Sequence, residues 1–110
     1  MRLSPYYPAW YLAVVGFAYR FTGQYEEAIA LLETWRARAN PRSALPYLFL
    51  AITYEEAGRR EEAQLAVAEI LKRNPKASIT GYLKAKTFPY KDQADIDKVV
   101  DSLRKAGLPE

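Results

Sequence analysis

Residues 19–35 read YRFTGQYEEAIALLETW, and residues 54–70 read YEEAGRREEAQLAVAEI. Among the identical residues that stand thirty-five positions apart in these two stretches are Tyr19 and Tyr54, Gly23 and Gly58, and Ala28 and Ala63. A period in the mid-thirties is typical of stacked helical repeats, whose units bury their apolar faces only against their neighbours. The pattern therefore predicts an all-α solenoid that functions through its binding surface. An enzymatic function is less favoured.

The two copies predict four helices. Apolar residues recur at spacings of three and four, which places them on one face of a helix. The first copy gives helices over about 8–21 and 25–38. In the second copy one helix is capped by Ser43 and ends at Gly58, and the next ends before residue 74. Each copy closes with Asn-Pro, because a helix usually ends before a proline.

The rest of the chain reads as a degenerate third unit followed by a terminal cap. We expect a helix over 76–87, and then a last helix capped by Asp92, with Asp95 in a variant of the capping box. Gly107 would end that helix. Its apolar stripe consists of Ile96, Val99, Val100 and Leu103. A solenoid needs such a cap to shield its last apolar face.

The 110 residues amount to a single domain. Within it we place repeat 1 at about 8–41, repeat 2 at about 43–75, and the degenerate repeat with its cap at 76–110.

The order of residue types within each copy resembles the tetratricopeptide repeat. That repeat has an aromatic residue, then Leu-Gly, then Tyr, later Ala and a bulky residue, and finally Pro. The first copy reads Leu12, Val15, Gly16, Tyr19, Ala28, Leu32 and Pro41, and the second reads Tyr47, Leu50, Ala51, Tyr54, Ala63, Val67 and Pro75. The resemblance implies a solenoid of about six antiparallel helices that binds proteins. The first copy departs from the pattern at Trp35, where a small residue is usual.

The end of the chain carries a second resemblance. Residues 88–92 (FPYKD), 94–95 (AD) and 103–109 (LRKAGLP) are similar to the closing segment of certain bacterial tetratricopeptide regions. Those regions follow a class III adenylate cyclase domain or a winged-helix regulator domain. The resemblance implies the tail of a larger bacterial regulatory protein, without its catalytic or DNA-binding residues. Residues 3–5 also read as the end of an earlier repeat, so we expect the chain to start within the solenoid.

Partner binding is expected on the concave surface, which the first helix of each unit lines in this family. The repeat register places there Trp10, Ala13, Phe17, Arg20 and Phe21 from the first unit, Leu45, Leu48, Ile52, Glu55 and Glu56 from the second, and Ile79, Tyr82 and Lys86 from the third. Family members that clamp a terminal carboxylate use Lys and Asn on these helices, so Ala13 and Phe17 argue against such a clamp.

Three occupants of this apolar groove stay open at this point. It could hold an amphipathic partner segment, the chain's own C-terminal helix, or a second copy of the chain. For self-association the favoured surface is the aromatic cluster Tyr6, Tyr7, Trp10 and Tyr11, because Trp and Tyr are enriched at interface hot spots.

The composition argues against catalysis. The chain has no Cys and no His, which removes a thiol nucleophile and the commonest general base and metal ligand. The acidic pairs at 26–27, 55–56 and 61–62 lie at helix starts or exposed turns, and neighbouring helical residues point about 100° apart. Asp92, Asp95 and Asp97 come nearest to a metal site but are better explained as a helix cap. We expect no catalytic residue, metal or cofactor.

Charge and hydropathy leave one alternative function. No acid lies between Glu69 and Asp92, whereas six bases do: Lys72, Arg73, Lys76, Lys84, Lys86 and Lys91. This basic stretch could bind nucleic acid or an acidic partner, but a solvated face is the favoured interpretation, and a net charge of +3 is small for nucleic acid. No apolar run approaches the roughly 18 residues that span a bilayer. We expect a cytoplasmic protein.

Overall fold

A computed structural model describes residues 9–85 and 93–110, with side chains in the ranges 11–85 and 93–110. The described residues form six helices and no strand: α1 (Ala9–Phe21), α2 (Tyr25–Arg38), α3 (Leu45–Glu56), α4 (Arg60–Arg73), α5 (Ile79–Lys84) and α6 (Gln93–Ala106). The predicted all-α class, with its helical repeat, is confirmed.

The sequence repeat is also a repeat of backbone geometry. Gly23 and Gly58, which follow α1 and α3, both have φ 81°, a left-handed conformation that favours glycine. At the first turn the Gln24 N–H donates to the Tyr19 carbonyl over 2.9 Å. At the second the Arg59 N–H donates to the Tyr54 carbonyl over 2.8 Å. The same bond therefore closes both helical hairpins.

The third helix occupies the centre of the fold. It packs against α1, α2, α4 and α6. Eight of its twelve residues are buried, including Leu48, Leu50 and Ile52. The hydroxyl of Thr53 is also buried and donates to the Phe49 carbonyl over 2.8 Å. An apolar helix of this kind has neighbours on most sides, as the inner helix of a stack must.

Small residues allow α1 and α2 to approach closely. A Cβ atom added at Gly16 would lie 3.0 Å from the Leu32 Cγ and 3.3 Å from the Leu31 Cβ. Trp35, the departure from the family pattern, fills the space between α2 and α3. Its ring lies 5.5 Å from that of Phe49, which in turn lies 4.5 Å from the ring of Phe17.

The predicted start of the helix over 76–87 was wrong, because α5 begins only at Ile79. Asn74 and Ala77 form a turn closed by a 3.0 Å backbone hydrogen bond. Ser78 then adopts an extended conformation and caps α5, its Oγ accepting from the Gly81 N–H over 3.0 Å. Residues 86 and 87 of the prediction lie outside the described residues.

The predicted cap of α3 was also wrong. Ala44, not Ser43, is the N-cap residue, and Ser43 Oγ only accepts a long 3.4 Å bond from the Leu45 N–H. Pro46 lies in the first turn and has no N–H to be satisfied. The first turn of α3 therefore depends less on a side-chain cap.

The last helix closes the stack as predicted. It packs against α3, α4 and α5, with Val99 and Leu103 fully buried. Gly107 ends it with φ 104°. The expected capping residue Asp92 lies outside the described part of the chain.

The tail beyond α6 reaches the start of α5. The Ile79 N–H donates to the Pro109 carbonyl over 2.8 Å, and the Thr80 N–H donates to a main-chain oxygen of Glu110 over 3.1 Å. Two donors at the start of a short helix are thus satisfied. Among the described helices, none is long and apolar enough to span a membrane.

The close approach of α1 and α2 gives a first prediction. We expect Gly16→Val to destabilise the chain by about 2 kcal/mol, because the added atoms overpack the contact with Leu32. Urea unfolding measures the change. Ala18→Val is the matched control, since Ala18 lies on the exposed side of the same helix and bears the same cost of a β-branched side chain. Equal losses in the two variants would contradict the packing argument.

Candidate interaction surfaces

Four of the residues predicted for the concave groove belong to the core instead. Ala13 and Phe17 on α1, and Leu48 and Ile52 on α3, are all buried within the chain. On α3 the reason is that this helix packs against α6 as well as against α1, α2 and α4. On α1 it is the packing against α2 and α3, where the Phe17 ring meets that of Phe49. This part of the predicted groove does not present an open surface in the structure.

Two other predicted groove residues, Arg20 and Glu56, form a buried ion pair with each other. The Arg20 Nε lies 2.6 Å from the Glu56 Oε2, and the two side chains are only 3% and 8% exposed. The Arg20 guanidinium also lies 4.5 Å from the centre of the Phe17 ring. The ion pair therefore joins the C-terminal ends of α1 and α3, where Phe21 and Glu55 are the adjoining residues.

The acidic pair at 55–56 was expected at an exposed turn, and this was wrong. The Glu55 side chain is only 6% exposed, and its Oε1 lies 3.1 Å from Arg60 Nη2. Its Oε2 is buried without a hydrogen-bond partner among the described residues. Burial of the pair follows from the packing of α1 against α3, which sequence spacing alone does not reveal.

One face of α1 remains exposed and apolar. Val14 is 60% exposed and Phe21 is 54% exposed. With Ala18, which is also exposed, they stand at spacings of four and three and so form a single stripe. We call these three residues the α1 stripe. It carries no charge.

The other predicted site residues have mixed positions. Leu45 is partly exposed at the start of α3, whereas Ile79 is buried. Tyr11 and Tyr82 are half-buried, and burial raises the pKa of the Tyr82 hydroxyl. Tyr6, Tyr7, Lys86 and the side chain of Trp10 lie outside the described residues.

A second surface feature was not predicted. A groove of about 450 Å³ lies between α2, α3 and α4. Its lining mixes tyrosines, charged side chains and small apolar residues: Glu33, Arg36, Tyr47, Leu50, Tyr54, Glu62, Leu65, Ala66, Ala68 and Glu69. We call it the α2–α4 groove.

A tyrosine and an arginine bound each end of this groove. The Arg59 guanidinium lies 5.1 Å from the Tyr54 ring centre, and the Tyr54 hydroxyl donates to Glu33. At the other end the Arg73 guanidinium lies 4.4 Å from the Tyr47 ring centre. The Arg73 Nη2 also donates to the Tyr47 hydroxyl over 3.3 Å. These contacts hold both arginines in place beside the groove.

Residue spacing in the sequence indicates this groove, although comparison of the two repeats does not. Tyr47 and Tyr54 on α3 stand seven residues apart, as do Glu62 and Glu69 on α4. Such spacing keeps each pair on one helix face. The packing of α2 and of α4 against α3, however, is tertiary structure, and it decides that the pairs share one groove.

Only some of the basic side chains between residues 72 and 91 are exposed to solvent. Lys72, Lys76 and Lys84 are exposed. Arg73 instead pairs with Glu69 and donates to the Pro41 carbonyl over 2.7 Å. Lys86 and Lys91 lie outside the described residues. Within the described side chains, no group of three or more acidic residues is placed to hold a metal ion.

Two stacked helical hairpins in register define a helical-repeat protein. A family model described as tetratricopeptide repeat matches residues 22–86, which is more than half of the chain. The chain belongs to the tetratricopeptide repeat family. Members of this family generally mediate protein–protein interaction and are generally not enzymes. A search of curated proteins gave no significant match.

The buried ion pair gives a second prediction. Arg20→Met alone should cost about 3 kcal/mol of unfolding free energy, because it leaves the Glu56 carboxylate buried and unpaired. The double variant Arg20→Met with Glu56→Gln should recover most of that loss. Denaturant unfolding of the single and double variants tests this coupling.

An exposed pair serves as the control for this experiment. Arg104 and Glu110 also form an ion pair, but their side chains are more than half exposed. Arg104→Met should therefore change stability little. Additive losses at Arg20 and Glu56 would contradict the account of a coupled buried pair.

The tyrosine at the groove gives a third prediction. Burial, and then the hydrogen bond to Glu33, raise the pKa of Tyr54 well above its ordinary value. Above pH about 10 the unfolded chain loses this proton while the folded chain keeps it, so stability should fall as pH rises. In Tyr54→Phe the fall should be smaller. Urea unfolding on both sides of that pH measures the difference, and parallel declines would contradict the assignment.

Proposed function

We propose that this chain is a protein-interaction module that binds an amphipathic partner helix along the α1 stripe. The observation that carries the proposal is the exposure of Val14 and Phe21 in a chain of the tetratricopeptide repeat family. Large apolar side chains grouped on a surface usually mark an interface. Binding would work by surface complementarity, without chemistry.

The geometry of the stripe supports a helical partner. Its residues stand at positions i, i+4 and i+7, the spacing by which one helix packs along another. Because the stripe is uncharged, the partner should present apolar side chains to it. The Oε2 of Glu55, at the adjoining end of α3, is an acceptor that a donor group on the partner could satisfy after a rotation of the Glu55 side chain.

The parent molecule is part of the same proposal. The resemblance of residues 88–109 to the closing segment of bacterial regulatory proteins supports a place for this chain in a larger cytoplasmic regulator. There it would act as a scaffold or oligomerisation domain, organised as one domain over residues 1–110. The aromatic cluster of Tyr6, Tyr7, Trp10 and Tyr11 remains a proposed contact for self-association.

Peptide selection tests the α1 stripe. A library of amphipathic helical peptides, about 16 residues or four turns long, is panned against the wild-type chain, and selected peptides are measured by calorimetry. We expect Phe21→Lys to weaken their binding at least about tenfold, which is the effect of about 1.4 kcal/mol.

Leu65→Lys is the matched control, since it places the same charge at an exposed leucine on a different helix. Binding that survives Phe21→Lys, or that is lost equally in both variants, would argue against the stripe.

An alternative function rests on the exposed bases Lys72, Lys76 and Lys84, which could bind nucleic acid or an acidic partner. Salt distinguishes the two readings. Binding to phosphates weakens steeply as salt rises, whereas binding along an uncharged stripe should change little.

A further inference from the structure

Helices α2 and α4 lie side by side and run in the same direction. At their N-terminal ends the Arg59 Nη1 lies 3.7 Å from the Glu26 Oε2. At their C-terminal ends the Arg73 Nε donates to the Pro41 carbonyl over 2.7 Å. Each helix has 14 residues and is therefore about 21 Å long. Together the two helices and the groove between them form a single face, the α2–α4 face.

Charge is divided between the two ends of this face. The N-terminal end has four carboxylates and two arginines: Glu26, Glu27, Glu61, Glu62, Arg59 and Arg60. The C-terminal halves of the helices and the residues that follow them have six bases and two carboxylates: Arg36, Arg38, Arg42, Lys72, Arg73, Lys76, Glu33 and Glu69. One end is thus net acidic and the other basic. This matches the helix dipole, which favours acidic side chains near the N-terminus and basic side chains near the C-terminus.

An exposed leucine lies between the two charged ends. Leu65 on α4 is 67% exposed, more than any other large hydrophobic side chain among the described residues. It borders the α2–α4 groove, whose floor includes the buried Leu50 and Ala66. The centre of the face therefore offers an exposed apolar side chain beside a groove whose floor is apolar and whose walls carry polar groups.

We propose that the α2–α4 face is a self-association surface on which a second copy of this chain packs in an antiparallel arrangement. A two-fold axis through the centre would set the acidic end of each copy against the basic end of the other. Leu65 of each copy would enter the groove of its partner. The same arrangement pairs the helix dipoles in opposite directions, which is favourable.

The size of the face sets the expected strength. Two helices, each about 21 Å long and about 10 Å across, offer a few hundred Å² per copy, below the roughly 800 Å² per partner of a stable interface. We therefore expect a weak, reversible dimer that forms as concentration rises. It uses helices other than the proposed partner site on α1, so the two sites can be tested separately.

Sedimentation equilibrium over a concentration series is the first test. Leu65→Lys should raise the dissociation constant of the dimer at least about tenfold, because a buried lysine would replace the central apolar contact. Phe21→Lys should leave it unchanged. Circular dichroism checks that both variants remain folded.

Charge exchange is the second and sharper test. One variant carries Arg36→Glu, Lys72→Glu and Lys76→Glu, so that both ends of its face are acidic. The other carries Glu26→Lys and Glu61→Lys, so that its acidic end becomes basic and both ends are basic. Each variant alone should dimerise more weakly than the wild type, because like charges then meet at both contacts. Mixed together, the two should form a heterodimer, detected by light scattering or by fluorescence transfer between labelled chains.

Three results would overturn the proposal. The first is a wild-type chain that stays monomeric up to about 1 mM, which bounds the affinity at about −4 kcal/mol. The second is a dimer that survives Leu65→Lys but is lost in Phe21→Lys or Trp10→Ala, which would place the contact on the N-terminal surface. The third is a mixture of the charge variants that forms no heterodimer although both are folded. The first and third results leave peptide binding at the α1 stripe untouched, whereas loss of the dimer in Phe21→Lys would make the stripe a contact between two copies of the chain.

Discussion

The burial of α3 is the constraint on which the rest of the structure depends. This helix is the first of the second repeat, yet it contacts both helices of the first repeat and the terminal helix α6. Its residues Leu48, Leu50 and Ile52 are removed from water only when all of these neighbours are in place. A single helical hairpin lacks the partners for this burial, so the stability of each unit depends on the next one.

The same packing positions the surfaces that face solvent. The Arg20–Glu56 ion pair holds the C-terminal ends of α1 and α3 together, so the α1 stripe projects from a helix whose other side is fixed in the core. On the other helices, contacts of α3 with α2 and α4 set the floor of a groove and hold its two flanking helices parallel. The chain thus presents an uncharged helical stripe and a face with charge separated along its length.

Much of this fold could be predicted from sequence, because its determinants are local or periodic. The turns at Gly23 and Gly58 need a left-handed residue, and the spacing of apolar residues fixes which helix faces turn inward. The start of α5 could not be located this way, because Ser78 and the tail at residue 109 decide it together. Likewise, the burial of Glu55 and Glu56 depends on which helices pack together. The spacing of apolar residues along the sequence does not determine this.

Native-state hydrogen exchange measures the central claim, the dependence of the whole stack on α3, most directly. The account predicts that amides of residues 48–54 exchange only when the whole chain unfolds, and that α1 and α5 open earlier because they have fewer packed neighbours. If the amides of α3 exchanged while those of α1 and α2 stayed protected, the first hairpin would be an independent unit. The stacking account would then be contradicted.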